Sequence, residues 1–155
     1  MSRKVVTLAA LAASICCSTW VHPATAQGDP SLSAARELFQ KYVDLEHNFD
    51  VSQSELYAPD AQIKNTRLYP GGQNQTISFS GNDYKRMLRA ALPLAKARND
   101  VSQYSGVSYA KEGSGVRIKC TRFSQLKQYS SPLELIVAPV GNSWLIVSES
   151  SQSRP

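Results

Sequence analysis

Cysteine and histidine are scarce in this chain. Its 155 residues include 3 cysteines and 2 histidines. Cys16, Cys17 and His22 all fall in an N-terminal segment that reads as a removable leader, leaving Cys120 and His47 in the remainder. A lone thiol cannot form an internal disulfide, so stability must come from an ordinary apolar core. One Cys and one His do not make a transition-metal ligand set, and no ligand spacing supports one. No metal or other cofactor is therefore expected. Nothing resembles a glycine-rich phosphate loop. Long apolar runs are also missing: residues 5–15 are apolar but too few to span a bilayer comfortably, and no later segment does better. Charge of one sign is not in great excess. The formal net charge is +5, and loss of Arg3 and Lys4 with the leader reduces it to +3. So mild a charge does not require a nucleic-acid partner, whose usual mark is clustered Lys/Arg on a strongly basic domain, and no such partner is expected.

What is present at the N-terminus is an address. Arg3 and Lys4 precede the apolar stretch, and Ala24-Thr25-Ala26 places small residues at the two positions a signal peptidase reads. Residues 1–26 are expected to be a signal peptide cleaved before Gln27. Lipidation at Cys16 or Cys17 is the alternative, and bulky Ile15 before Cys16 fits it badly. A short leader and the lack of a disulfide framework point to a periplasmic or secreted product with no membrane segment after cleavage. Residues 27–32 then form a polar lead, 33–150 one domain of a size that suits a single core, and 151–155 a frayed tail.

Along that domain the apolar period changes once. Leu38, Tyr42 and Leu45, flanked by Phe39 and Val43, recur at helical spacing opposite Arg36, Glu37, Gln40, Lys41 and Asp44, with Ser33 as the expected N-cap. Asp50 or Ser52 can cap a short second helix reaching Leu56 and Tyr57, which Pro59 stops. Residues 60–67 and 75–79 read as strands around the Pro70-Gly71-Gly72 turn. Ser80, Asn82 or Asp83 can cap a third helix whose face is Tyr84, Met87, Leu88, Ala91, Leu92 and Ala95, with Pro93 bending or ending it. From Asp100 the period is two. Strands are expected near 101–111, 116–127, 133–140 and 144–150, joined by turns at Glu112-Gly113-Ser114-Gly115 and Gly141-Asn142. Val116, Ile118 and Cys120 should face inward, against Arg117, Lys119 and Thr121 outward. Cys120 is accordingly read as an inert buried thiol.

The order ααββαββββ makes an α+β fold, a curved antiparallel sheet wrapped around three helices from the N-terminal half. At the helix end from Tyr42 to Asp50 and at Leu56-Tyr57-Ala58-Pro59-Asp60-Ala61-Gln62-Ile63, the chain resembles the nuclear transport factor 2-like, or cystatin-like, superfamily of cone-shaped domains. The resemblance covers nearly all of 33–150. It implies an apolar cavity between sheet and helices, and often a homodimer through the outer sheet face. It does not fix an activity, because the fold hosts isomerases, cyclases, dehydratases, ligand-binding proteins and protein-binding modules.

Ketosteroid isomerases of this fold use an Asp base with an oxyanion hole of Tyr and protonated Asp. Carried over by that resemblance, Tyr42 matches the tyrosine and Glu134 is the one carboxyl available for the third group. Asn65 falls where the base should be. An amide cannot take up and return a proton at ordinary pH, so that chemistry lacks its base. His47, between Asp44 and Asp50, is a second candidate base, with an exposed helix-end histidine as the competing reading. Tyr42, Tyr57, Tyr84 and Leu88 are the residues expected to line a ligand pocket. Lys111, Arg117, Lys119, Arg122 and Lys127 form a basic cluster that either meets an acidic partner or is simply a solvated face. Trp144 to Val147 is apolar on both faces, which asks either for a dimer or partner on the outer side or for a doubly packed strand. The leading expectation is an exported cone-fold protein that binds a small apolar or amphipathic ligand, or a protein partner, without catalysis. A pocket enzyme of the isomerase, cyclase or dehydratase kind and an inhibitor or immunity-type module are the alternatives.

Overall fold

The computed structural model describes residues 29–154, so the expected signal peptide, its expected cleavage site and Cys16 and Cys17 lie outside the described residues. The first element is helix α1, Pro30–His47. Its cap is Asp29 rather than Ser33: the carboxylate accepts from the Ser31 amide at 2.9 Å, and Pro30 opens the helix where a missing N–H costs nothing. Ala35, Leu38, Phe39 and Tyr42 form its buried stripe. After a left-handed residue at Phe49, Asp50 caps the next element as expected, accepting from the Ser52 amide at 2.8 Å. That element is a single 3-10 segment, Val51–Leu56, and not an α-helix.

Strand β1, Tyr57–Leu68, begins three residues earlier than the alternation predicts. Pro59 therefore sits inside it, in an irregular stretch where no regular pairing to a neighbour is formed between Tyr57 and Gln62. β2, Asn74–Ser80, returns antiparallel. Helix α2, Gly81–Arg98, is capped by Ser80 Oγ, which accepts from the Asp83 amide, and ends in a left-handed Asn99 with Lys96 and Arg98 in the last turn. Pro93 does not stop it; the helix continues one more turn. Gly81 is required where α2 crosses β1, since a Cβ there would lie 2.0 Å from the Ala58 carbonyl oxygen.

The remaining strands are β3 (Ser102–Glu112), β4 (Gly115–Ser124), β5 (Tyr129–Val140) and β6 (Ser143–Ser153). One six-stranded sheet results, in the order β2-β1-β6-β5-β4-β3. It is not wholly antiparallel, because β1 and β6 run parallel and join the hairpin of the first half to the four-stranded meander of the second. The expected frayed tail is also corrected. Ser151, Gln152 and Ser153 belong to β6, and Ser151 pairs with both Asn65 and Leu133 in the interior of the sheet.

Register sets which residues share the concave face. One row across the sheet reads Phe79, Ile63, Glu149, Leu135, Ile118 and Tyr109. The next holds Ile77, Asn65, Ser151, Leu133 and Cys120, and beyond it Arg122 faces Tyr104 and Ser131. The apolar base of the cone is Val116, Ile118, Leu135, Val137 and Ile146, closed by Leu38, Phe39 and Leu56 from the helical side. Among the described residues no helix is long and apolar enough to cross a membrane.

Candidate functional site

Toward the mouth of the cone the interior turns polar. Tyr57 is 1% exposed and Glu149 2%, and the phenol donates to Glu149 Oε2 at 2.5 Å. Tyr84, from α2, donates to the other carboxylate oxygen at 3.3 Å. The two rings meet edge-on at 5.0 Å, which fixes both hydroxyls over the carboxylate. Burial, and then the negative charge of Glu149, push both phenols well above the ordinary tyrosine range, so they stay protonated and able to donate.

Glu149 enters the interior because of a bulge. Ile136 faces Ser148 and Val137 faces Ile146, so Val147 has no partner and the inward side shifts by one residue. Strict alternation from Ile146 would have placed Ser148 inside and Glu149 in water.

Beside this cluster Asn65 donates to Ser151 Oγ at 3.0 Å and accepts from Ser153 Oγ at 2.7 Å. Both ends of the amide are thus held. Arg122 reaches in from β4 and gives one hydrogen bond to protein, from Nη2 to the Gln152 carbonyl at 3.2 Å. Burial lowers its pKa, but Tyr42, Tyr104 and Glu149 outweigh that and leave it raised, so the guanidinium stays charged. None of the ion pairs among the described residues involves Arg122.

Two chambers meet at Arg122 and Tyr84. The larger, about 310 Å³, has an apolar wall from α2 (Leu88, Ala91, Leu92, Ala95) and a polar wall from Tyr42, Glu46, Tyr104 and Arg122. The smaller, about 130 Å³, lies under the β1–β2 hairpin against Asn65, Phe79, Met87 and Glu149.

Glu46, one turn beyond Tyr42, is the group with most chemical potential. Its side chain is only 14% exposed. Oε1 accepts from the Ser102 amide at 3.1 Å, while Oε2 is buried without a hydrogen-bond partner. Burial raises its pKa, against smaller lowering contributions from Ser102 and His47. His47 Nε2 lies 3.5 Å from that oxygen, but its proton points to the Ser102 carbonyl at 2.8 Å, so the contact is one of charge alone and only when the ring is protonated.

The expected site residues divide accordingly. Tyr42, Tyr84 and Leu88 line the larger chamber, and Tyr84 and Asn65 line the smaller. Tyr57 lies behind Glu149 and lines neither chamber. His47 is corrected as a base: its side chain is 43% exposed, lines neither chamber and is turned to the β3 backbone. Glu134 is corrected too, since it sits on the outer sheet face paired with Arg117 and Lys119. The basic cluster therefore separates, with Arg117 and Lys119 outside and ion-paired and Arg122 inside. Cys120 is buried as expected, its thiol pushed up to about 11 by desolvation. Sequence reasoning missed Glu46, Arg122 as an interior group, and Glu149. Two of these had a signal: Glu46 continues the stripe of Phe39 and Tyr42, and Arg122 is in phase with Ile118 and Cys120. Among the described residues no group of three His, Cys, Asp or Glu side chains could hold a metal ion.

No protein-family model and no curated protein sequence matches the chain. Solved structures do. An NTF2-like protein with a cystatin-like fold from Novosphingobium aromaticivorans is 15% identical at a TM-score of 0.57, covering 79% of this chain and 81% of its own. An NTF2-like protein of unknown function from Pseudomonas putida KT2440 is 10% identical at 0.61, covering 80% and 87%. A protein of Streptomyces avermitilis proposed to be a dehydratase of the NTF2-like family is 13% identical at 0.56, covering 80% and 96%. At such identities the likeness concerns the fold alone, and in fold this chain is an NTF2-like, cystatin-like α+β cone.

Proposed function

We propose that this is an exported protein that holds one small amphipathic molecule inside its cone without converting it. The observation that carries this reading is the pair of chambers joined at Arg122 and Tyr84, with an apolar wall from α2 and a polar wall from α1 and the sheet in the larger one. A molecule with an apolar body and one polar end matches both walls. Asn65 supports the non-catalytic side: it stands near the cavity where a carboxylate base was expected, and both its ends are taken by serines. Export rests on the leader read from residues 1–26. Native mass spectrometry of the full protein, with thermal-shift screening against lipophilic acids, sterols and cell extract, tests the reading. A bound species of one-to-one stoichiometry, weakened by Ala91→Trp, is expected. No bound species together with turnover of a screened compound would overturn it.

A second reading has one specific observation behind it. Glu46 presents a buried oxygen with no hydrogen-bond partner and a raised pKa in the same chamber as Tyr42 and Tyr104. Those are the properties of a general base in a pocket enzyme. Turnover abolished in Glu46→Gln while binding persists would establish it in place of the first reading. The inhibitor or immunity-type reading loses its main support, because Arg117 and Lys119 are already paired with Glu112 and Glu134 on the outer face.

A further inference from the structure

We infer that the polar end of the ligand is a carboxylate and that Arg122 receives it, the apolar body lying along Leu88, Ala91 and Leu92 in the larger chamber. This rests on the ligand-binding reading above and names its ligand class.

The argument begins with the state of the guanidinium. An arginine drawn into an interior is normally matched by a carboxylate held within about 4 Å, since an unmatched buried charge is strongly unfavourable. Arg86 pairs with Asp83, Arg89 with Glu55 and Arg117 with Glu112 and Glu134, while Arg36, Arg67, Arg98 and Arg154, which are in none of these pairs, are exposed to water. Arg122 has no ion pair among the described residues and donates once to protein, to Gln152 O. A guanidinium has five N–H donors in a planar fork, so most of its donor capacity is unused by protein, and the residue borders both chambers.

The interior carboxylate of Glu149 acts on Arg122 through its charge but forms no ion pair with it. Glu149 is already held by two phenols, at 2.5 and 3.3 Å, and lies on the wall of the smaller chamber. Lys127 and Asp100 at the wall of the larger chamber oppose each other in sign, and Glu46 is bonded to the Ser102 amide and feels the Arg122 charge without pairing to it. Arg122 is therefore the positive group at the point where both chambers meet, with the Tyr84 ring beside it. The fork matches a planar carboxylate with two parallel hydrogen bonds, and the α2 side chains supply an apolar track leading away from it.

Calorimetric titration of the full protein with octanoate, octanamide, 1-octanol and octyl phosphate tests the assignment. Octanoate is expected to bind about tenfold or more tightly than octanamide or 1-octanol, the usual scale of a charge-assisted pair of hydrogen bonds. In Arg122→Gln octanoate should fall to the level of octanamide while 1-octanol stays within about twofold, which also reports that the cone is folded. Arg122→Lys keeps charge without the fork and should fall between the two. If 1-octanol equals octanoate in the wild type, or if Arg122→Gln leaves octanoate unchanged, the head-group assignment is wrong while the cavity reading stands. Octyl phosphate binding as tightly as octanoate overturns the carboxylate in favour of any anion. If none of the four binds, the ligand-binding reading itself falls.

Discussion

Removing one oxygen from the interior tests whether the Tyr57–Glu149 contact holds the cone together. In Tyr57→Phe the ring keeps its place against Tyr84, since the edge-on contact at 5.0 Å involves carbon atoms. Only the donor to Glu149 Oε2 is lost. The carboxylate is then left with the longer bond from Tyr84, at 3.3 Å, in a position almost closed to water. Hydrogen bonds to charged groups contribute about 1.5–3 kcal/mol. A domain of this size shifts about 3–5 °C in Tm per kcal/mol, so a fall of roughly 5–15 °C is expected. Glu149→Gln separates this from a packing effect. With a neutral amide as acceptor, Tyr57→Phe should cost only about 0.5–1.5 kcal/mol. Urea unfolding followed by far-UV circular dichroism gives all four stabilities of the cycle. Equal costs in the two backgrounds, or a cost in the wild type below about 0.5 kcal/mol, would refute the role given to the carboxylate.

Three further outcomes follow from the same geometry. Burial raises the Glu46 pKa, so the folded chain holds that proton more tightly than the unfolded one, and its contribution to stability is full at acid pH and lost as pH rises through the raised value. Tm of Glu46→Gln relative to wild type should therefore increase from pH 4 to pH 8, and a constant difference would contradict the assignment. Gly81→Ala forces a methyl toward the Ala58 carbonyl oxygen, 2.0 Å from the ideal position, and should destabilise by about 1–3 kcal/mol or more in urea unfolding; a neutral result would mean that the α2–β1 crossing relaxes freely. Cys120, buried and with its thiol pushed up to about 11, should react with iodoacetamide at pH 8 far more slowly in the native protein than in urea, and comparable rates would show the β4 interior to be open.

Local chemistry made most of the element order legible. Pro70-Gly71-Gly72 and the two later turns fall where loops stand, and Ser80 and Asp50 cap what they were expected to cap. Val116, Ile118 and Cys120 face inward as their alternation requires. What escaped depends on distant partners. The parallel pairing of β1 with β6 joins residues some ninety positions apart, and nothing local in Ser151-Gln152-Ser153 announces it, so a strand end read as a frayed tail. The unpaired Val147 changes which side of β6 faces inward and brings Glu149 inside, a reversal that period-two reasoning cannot anticipate. Arg122 and Glu46 escaped for another reason. Their phase pointed inward, but the general tendency of charged side chains to lie outside overrode the pattern. The candidate site is thus made largely of residues at which pattern and polarity disagree.

That disagreement bears on function. A cone of this size gains stability from an apolar interior, and replacing buried charges by packed apolar groups is often neutral or favourable. Part of the outer and flanking charge is ion-paired, Glu55 with Lys85 and Arg89, Glu134 with Arg117 and Lys119, and Asp29 with Lys111, while exposed Arg36, Lys41, Asp60, Lys64, Arg67, Lys96 and Arg98 are in none of these pairs and meet water. Within, Arg122 is in no ion pair and Glu46 Oε2 has no hydrogen-bond partner, only the 3.5 Å contact to His47, and both residues border the larger chamber. A purely structural role would predict interior polar groups fully matched, as buried groups normally are. The ligand-binding reading proposed above therefore puts recognition in the cone, at the meeting of β4, α1 and α2, and not on the outer face of the sheet, where Arg117 and Lys119 are ion-paired.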